Sequence, residues 1–255
     1  MTAADWGLLM VAATAAGWVD AVVGGGGLIL LPVILLVAPQ LTPQAALATN
    51  KATAIFGTVA AVVTFARKVP LNWRVLIPAG AVAAVASAAG AAAVSLIDRE
   101  LFIPIIMFVL VGVALLVTFR PTIGVTAAPT PPTHRKIVIV IGLAAAGIGF
   151  YDGILGPGTG TFLIIVFATM LGTEFVRSAA MAKVINVGSN LGALAFFAVT
   201  GSVYWQLGAA MAACNVIGAV LGSRTAVAKG AGFVRIVLLV VVVGMVVRLG
   251  WQQFG

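Results

Sequence analysis

The chain alternates long apolar runs with short polar breaks. Runs of about twenty residues, the length that crosses a hydrocarbon core of about 30 Å as a helix, recur at 6–38, 42–66, 73–97, 101–119, 137–171, 173–199, 203–228 and 232–252. All of these stretches predict membrane-embedded helices. The first and fifth, at about 33 and 35 residues, are too long for one crossing at ~1.5 Å per residue. Each is interrupted by glycine, GGGG at 24–27 and GPGTG at 156–160. Each is therefore read as a broken, re-entrant helical hairpin whose tip is the glycine cluster. Between the fourth and fifth stretches lies RPTIGVTAAPTPPTHRK, rich in Pro, Thr and basic residues, which reads as a solvent-exposed linker. The expected organisation is a first transmembrane repeat over 1–120, a linker over 121–136 and a second repeat over 137–255, integrated in one membrane domain.

The halves repeat at a constant offset of 132 residues: Gly17 maps to Gly149, Asp20 to Asp152, Gly24 to Gly156, Gly26 to Gly158, Lys51 to Lys183, Phe65 to Phe197, Trp73 to Trp205 and Gly90 to Gly222. Chance matches among Ala and Val mean little. Paired Asp, Lys and Trp in one register are hard to obtain from composition. The N-terminal run, which has the apolar core of a signal peptide but no preceding basic residue, has a partner within the chain and is expected to be structural.

Composition supports the lipid-facing reading. Hydrophobic residues make up 62% of the chain and charged residues 8%, against about 25% charged in a soluble domain. A soluble globular protein is excluded, because its surface could not be covered. The net charge of +8 sits mostly between apolar runs rather than in a stripe, so it reads as a topology signal and not as a nucleic-acid surface. One cysteine, Cys214, and one histidine, His134, exclude a disulfide framework and a multi-ligand Cys/His metal site within one chain. No cofactor is expected.

Loop charge orients the halves. Arg67, Lys68 and Arg74 flank the junction of the second and third stretches, whereas the equivalent junction at Thr200–Tyr204 has no charge. The next junction reverses this: Asp98, Arg99 and Glu100 sum to minus one, and the counterpart region carries Arg224, Lys229 and Arg235 without an acid. Equivalent loops therefore face opposite sides, which predicts inverted repeats with an odd number of crossings each. With the hairpins re-entrant, the layout is six full crossings, both termini outside, the linker in the cytoplasm and the tips near the midplane. Eight simple crossings with parallel halves is the alternative that the charge pattern opposes.

Broken helices at membrane depth persist only against protein or a watery cavity, so the tips imply a cavity. Where helix restarts, near Leu28 and Thr161, unpaired N–H groups and a positive dipole suit an anion. Gly24, Gly25, Gly26 and Gly27 offer only backbone N–H groups, while Gly156, Gly158 and Gly160 are joined by hydroxyl donors on Thr159 and Thr161. Close helix packing is the other reading of these glycines. Lys51 and Lys183 lie about nine residues, ~13 Å, inside their stretches, too deep for easy snorkelling. Either they supply positive charge to the cavity, helped by Thr49 and Asn50 in one half and Asn186, Ser189 and Asn190 in the other, or Lys51 pairs with Asp20 and Lys183 with Asp152 as structural ion pairs. Asp20 and Asp152 each precede their tip by four residues and can hold the hairpin, tune the lysine or carry a coupling proton. Tyr151 has only Val19 opposite it, so any role is specific to the second half. Glu174 and Arg177 are expected to form a surface pair, Trp73 and Trp205 to anchor at interfaces, Cys214 to be a small buried hydrophobe and His134 to be solvated.

These segments resemble a known family. GWVDAVVGGGGLILLPVILL with LATNKATAIFGT, and GFYDGILGPGTGTFL with AMAKVINVGSNLGAL, are similar to the two signature regions of the TauE/SafE sulfite exporters, also called 4-toluene sulfonate uptake permeases. The resemblance covers both halves. It implies a multi-pass carrier of the bacterial inner membrane for sulfur-containing anions such as sulfite, thiosulfate, sulfoacetate and other organosulfonates. Its glycine-rich, TNK and K-V-I-N segments fall on Gly24–Gly27, Thr49–Lys51, Gly156–Gly160 and Lys183–Asn186. Secondary transport of such an anion, bound between the tips and the lysines, is the leading expectation. The partners expected are the small anionic substrate and the bilayer, with no nucleic acid. A cation- or proton-conducting channel or carrier that uses Asp20 and Asp152 is the second, and a membrane-embedded enzyme, for want of a convergent nucleophile and base, ranks last.

Overall fold

The computed structural model describes residues 1–94, 108 and 132–254. The fourth stretch, at 101–119, and the linker before Pro132 thus lie outside the described residues, apart from Phe108. The rest is all-helical, with no strand among the described residues: α1 (Ala3–Val23), α2 (Gly26–Val37), α3 (Pro43–Ala66), α4 (Trp73–Val94), α5 (His134–Ile154), α6 (Thr159–Met170), α7 (Phe175–Val199) and α8 (Trp205–Phe254). Helix α8 leaves helical geometry at Gly230 (φ 69°, ψ −167°). It therefore holds the last two apolar stretches as separate pieces around a kink.

Local sequence sets these boundaries. Thr2 and Asp5 form a reciprocal capping box at the start of α1. Thr42 and Thr133 accept from the N–H groups of Ala45 and Lys136 at the starts of α3 and α5. Helix α1 stops because Gly24 turns left-handed (φ 81°) and α6 starts after Gly158 does (φ 86°), a conformation that costs other residues about 1–2 kcal/mol.

Among the described residues, six helices are long and apolar enough to cross a membrane: α1, α3, α4, α5, α7 and the Trp205–Gly230 part of α8. The two glycine breaks thus divide unequal legs. The first leg of each, 21 residues in both α1 and α5, is ~32 Å long, and the second, 12 residues in α2 and α6, only ~18 Å. The expected set of six crossings did not include α1 and α5; each first leg is itself as long as a crossing. Large side chains on the outer helix faces point away from the protein, among them Val11, Ile77, Val85, Leu143 and Val199. A water-facing surface of this kind would aggregate, whereas lipid accepts it.

The halves interlock. Helix α1 packs on α8 and its counterpart α5 packs on α4; α3 packs on α8 and α7 on α4; α3 meets α7. Exchange of the two halves carries this set of contacts onto itself. Glycine makes the close approach possible: a Cβ on Gly222 would strike the Trp18 carbonyl, and one on Gly90 the Phe150 carbonyl. Both members of these two contacts are 132 residues apart. Without a hydrophobic driving force between helices in lipid, such small-residue contact is a main source of association.

Candidate functional site

The two glycine tips meet each other. A Cβ on Gly24 would lie 2.5 Å from the Gly160 Cα and from the Thr161 nitrogen, so the backbones touch with no room for a side chain. The Thr161 hydroxyl donates to the Val23 carbonyl across the halves (2.8 Å). Beside this contact lies a cavity of about 30 Å³ lined by Asp20, Gly24, Gly26, Gly27, Asn50 and Lys51 from the first half and Asp152, Gly156, Thr159, Gly160, Asn186, Asn190 and Asn215 from the second. That is room for about two waters. The site is narrow in this conformation.

Lys51 and Lys183 are fully buried, and each is held by a carboxylate of the opposite half. Lys51 Nζ is 2.6 Å from Asp152 Oδ1 and Lys183 Nζ is 2.7 Å from Asp20 Oδ2. The expected pairing within each half, Lys51 with Asp20 and Lys183 with Asp152, is therefore corrected to a crossed pairing. The reason is the interlock: α3 and α7 meet in the centre, so each lysine reaches the hairpin that packs on the other half's α4 or α8. A free positive charge at either lysine is likewise absent here, since both ammonium groups are neutralised.

The carboxylates also take the helix-start positions that suit an anion. Asp20 Oδ1 accepts from the Gly26 N–H at the start of α2 (3.4 Å), and Asp152 Oδ1 accepts from the Thr159 hydroxyl at the start of α6 (2.7 Å). Thr159 also bonds the Gly156 carbonyl (2.8 Å). The hydroxyls of Thr159 and Thr161, expected as donors to a bound anion, are thus engaged within the protein.

An asparagine cluster forms the remaining wall. Asn190 Nδ2 donates to Asn186 Oδ1 (3.2 Å) and approaches the Thr58 hydroxyl (3.4 Å), while Ser189 Oγ bonds Asn186. Thr58 and Asn190 are themselves 132 residues apart, which puts them where the halves exchange. Two buried oxygens at the cavity residues have no partner among the described residues, Asn50 Oδ1 and Asp152 Oδ2.

Other expected site residues stand outside the cavity wall. Thr49 accepts from the Tyr204 N–H (3.2 Å) and donates to the Ala45 carbonyl. Tyr151 donates to the Pro157 carbonyl (2.5 Å) and packs edge-on against Phe162, which braces the second tip. Gly25 and Gly158 are the residues that cap α2 and α6. Glu174 and Arg177 form no ion pair; the two lysine–aspartate pairs are the only ones among the described residues. Trp73 and Trp205 begin α4 and α8 and are exposed. His134 is exposed as the first residue of α5. Cys214 is half-buried rather than buried, with its Sγ 3.6 Å from Met10 Sδ.

Sequence reasoning missed Asn215. Its amide donates to the Ala13 carbonyl (2.9 Å) and it lines the cavity from α8. A lone Asn within an apolar stretch was the available signal; the repeat hid it, because its counterpart is Ala83.

The profile of the family described as "Sulfite exporter TauE/SafE" matches residues 9–249. The chain is 34% identical over 241 residues to "Probable membrane transporter protein ORF9" of Sinorhizobium sp, covering 94% of this chain and 90% of that protein. It is 33% identical over 248 residues to "Probable membrane transporter protein" of Haemophilus influenzae, covering 94% and 93%. With "Probable membrane transporter protein YfcA" of Escherichia coli K12 it shares 31% identity over 250 residues, covering 98% and 91%. No solved structure matches.

Proposed function

We propose that this chain, which belongs to the sulfite exporter TauE/SafE family of membrane transporters, carries a small sulfur-containing anion, such as sulfite, thiosulfate, sulfoacetate or another organosulfonate, across the bacterial inner membrane by secondary transport. The observation that carries the reading is the position of the two lysine-paired carboxylates. Asp20 and Asp152 lie against a lysine and a restarted helix at once, which is the set of donors that an oxyanion uses. A substrate anion competes for those donors when the tips part. Parting is required, because about 30 Å³ does not admit a three-oxygen sulfur anion.

In this reading the anion lies near the bilayer midplane, among the N–H groups of Gly24 to Gly27, of Gly156 and of Gly158 to Thr161, the ammonium groups of Lys51 and Lys183, and the amides of Asn50, Asn186 and Asn190. The reading takes the halves as inverted repeats, as the loop charges suggest, with which the two-fold exchange of contacts is compatible, and alternating access follows from rocking of the interlocked halves. The hydroxyl of Thr49 and the bond from Tyr151 to Pro157 keep the elements around the site in place.

Binding by the purified full chain is the direct test. Sulfite, thiosulfate and methanesulfonate are titrated calorimetrically into wild type and into Lys183→Ala. The reading predicts saturable binding of at least one anion and its loss in the variant, with the helical circular dichroism retained. Binding that is unchanged in Lys183→Ala removes the lysine role.

A further inference from the structure

The ionised side chains of the site sum to zero, two lysines against two aspartates. An anion that entered alone would leave one uncompensated negative charge in surroundings of low dielectric, which oppose it strongly. Either a cation enters too or one of the two carboxylates loses its charge.

The carboxylates are not equivalent. Asp20 has both oxygens engaged, Oδ2 by Lys183 and Oδ1 by the Gly26 N–H, and its side chain keeps 17% exposure. Asp152 takes both of its donors, Lys51 Nζ and the Thr159 hydroxyl, on Oδ1. Its Oδ2 is buried without a partner among the described residues, although the residue lines the cavity. A neutral carboxylic acid puts an O–H donor on such an oxygen, and Asn50 Oδ1, also unpartnered among the described residues, belongs to the same wall. A metal cation at this place would stand beside the Lys51 ammonium, which lies against Gly156 and repels it. A proton needs only the free lone pair.

We propose that Asp152 Oδ2 is the coupling-proton site of this transporter, and that its protonation frees Lys51 for the substrate anion; the proposal rests on the anion-carrier reading above. The proton comes from solvent and forms the O–H bond at Oδ2. The Lys51–Asp152 ion pair becomes an ammonium beside a neutral acid, and the anion compensates the ammonium. The empty site and the site loaded with a proton and a monoanion both carry zero charge, so the loaded carrier can reorient as readily as the empty one. The charged or titratable groups around Asp152 are Lys51 from α3, Asp20 from α1, Lys183 from α7 and Tyr151 beside it. Helix α8 presents Asn215 to the cavity, the ionisable residue of α4 is Arg74 in its first turn, and α2 and α6 contain none.

Calorimetry in buffers of different ionisation enthalpy counts protons taken up per anion bound. The probes are methanesulfonate and thiosulfate, both fully ionised from about pH 5.5 to about pH 8.5, so a proton counted is one bound by the protein. Wild type is expected to take up one proton with methanesulfonate, and its affinity to fall about tenfold per pH unit on the alkaline side. Asp152→Asn, which copies the neutral acid, is expected to bind with no proton uptake and a flat pH profile. Asp20→Asn and Asp152→Glu are expected to keep the uptake, whatever their affinity. Anion binding without proton uptake in wild type overturns the proposal and leaves the carrier reading standing, a result that needs no variant to fold. Uptake that persists in Asp152→Asn, or that vanishes only in Asp20→Asn, overturns it as well. No binding of either probe by folded protein at any pH removes the carrier reading, and the proton site with it.

Discussion

Lys51→Met tests the crossed pairing through stability. At the observed 2.6 Å between Lys51 Nζ and Asp152 Oδ1, Coulomb attraction is about 6 kcal/mol at an effective dielectric of about 20. Desolvation offsets much of it, so the measurable quantity is the cost of stranding Asp152 as a buried, unpaired charge, about 3–5 kcal/mol. The double variant Lys51→Met/Asp152→Asn removes both charges and is expected to recover most of that loss, a coupling energy of roughly 2–3 kcal/mol. The within-half double variant Lys51→Met/Asp20→Asn strands both Asp152 and Lys183, so its cost is expected to reach or exceed that of the single variant. The assay is SDS-titrated unfolding of the purified chain, followed by far-ultraviolet circular dichroism. Rescue by the within-half double and none by the cross-half double would refute the crossed pairing and the interlock that produces it.

Gly222→Ala and Gly90→Ala push a methyl into the Trp18 and Phe150 carbonyls and should each destabilise by about 1–3 kcal/mol, whereas Gly7→Ala, with nothing within 4 Å, should cost nothing in the same titration. Gly24→Ala combines a positive φ of 81° with a clash against Gly160; uptake into vesicles should be lost, and normal uptake would show that the tips need not touch. Asn215→Leu removes the bond to the Ala13 carbonyl, worth about 1 kcal/mol, and should change the relative uptake of different anions more than fold stability. In a Cys214→Ala background, an impermeant thiol reagent added outside is expected to label Ser202→Cys and not Arg67→Cys; the opposite pattern would reverse the orientation.

Much of the fold was legible because apolar run length and glycine breaks act locally. The starts of α3, α4, α7 and α8 fall within two residues of the expected stretch starts, and both long runs break at their glycines. The unequal legs follow from where the glycines fall in each run, but reading each break as the tip of a re-entrant hairpin hid that the first leg alone reaches the length of a crossing. The site was legible as a set of residues: the 132-residue register picked out Asp20, Lys51, Asp152 and Lys183 as a group. Who pairs with whom depends on how the halves interlock, a tertiary property, and the local reading paired them within halves. Asn215 escaped because the repeat argument rewards residues with a matching partner, and a polar residue opposite Ala83 has none.

The central claim is that the buried lysines and tips form a pathway for a sulfur-containing anion. Uptake of labelled sulfite, thiosulfate and methanesulfonate into proteoliposomes, with and without a pH gradient and with Lys183→Ala as control, tests it most directly. The account predicts saturable, lysine-dependent uptake of at least one anion, increased by a proton gradient in the direction of transport. No uptake of any of the three by folded, reconstituted protein, or ion conduction that persists without an anion and survives loss of both lysines, would contradict it in favour of a cation pathway through Asp20 and Asp152.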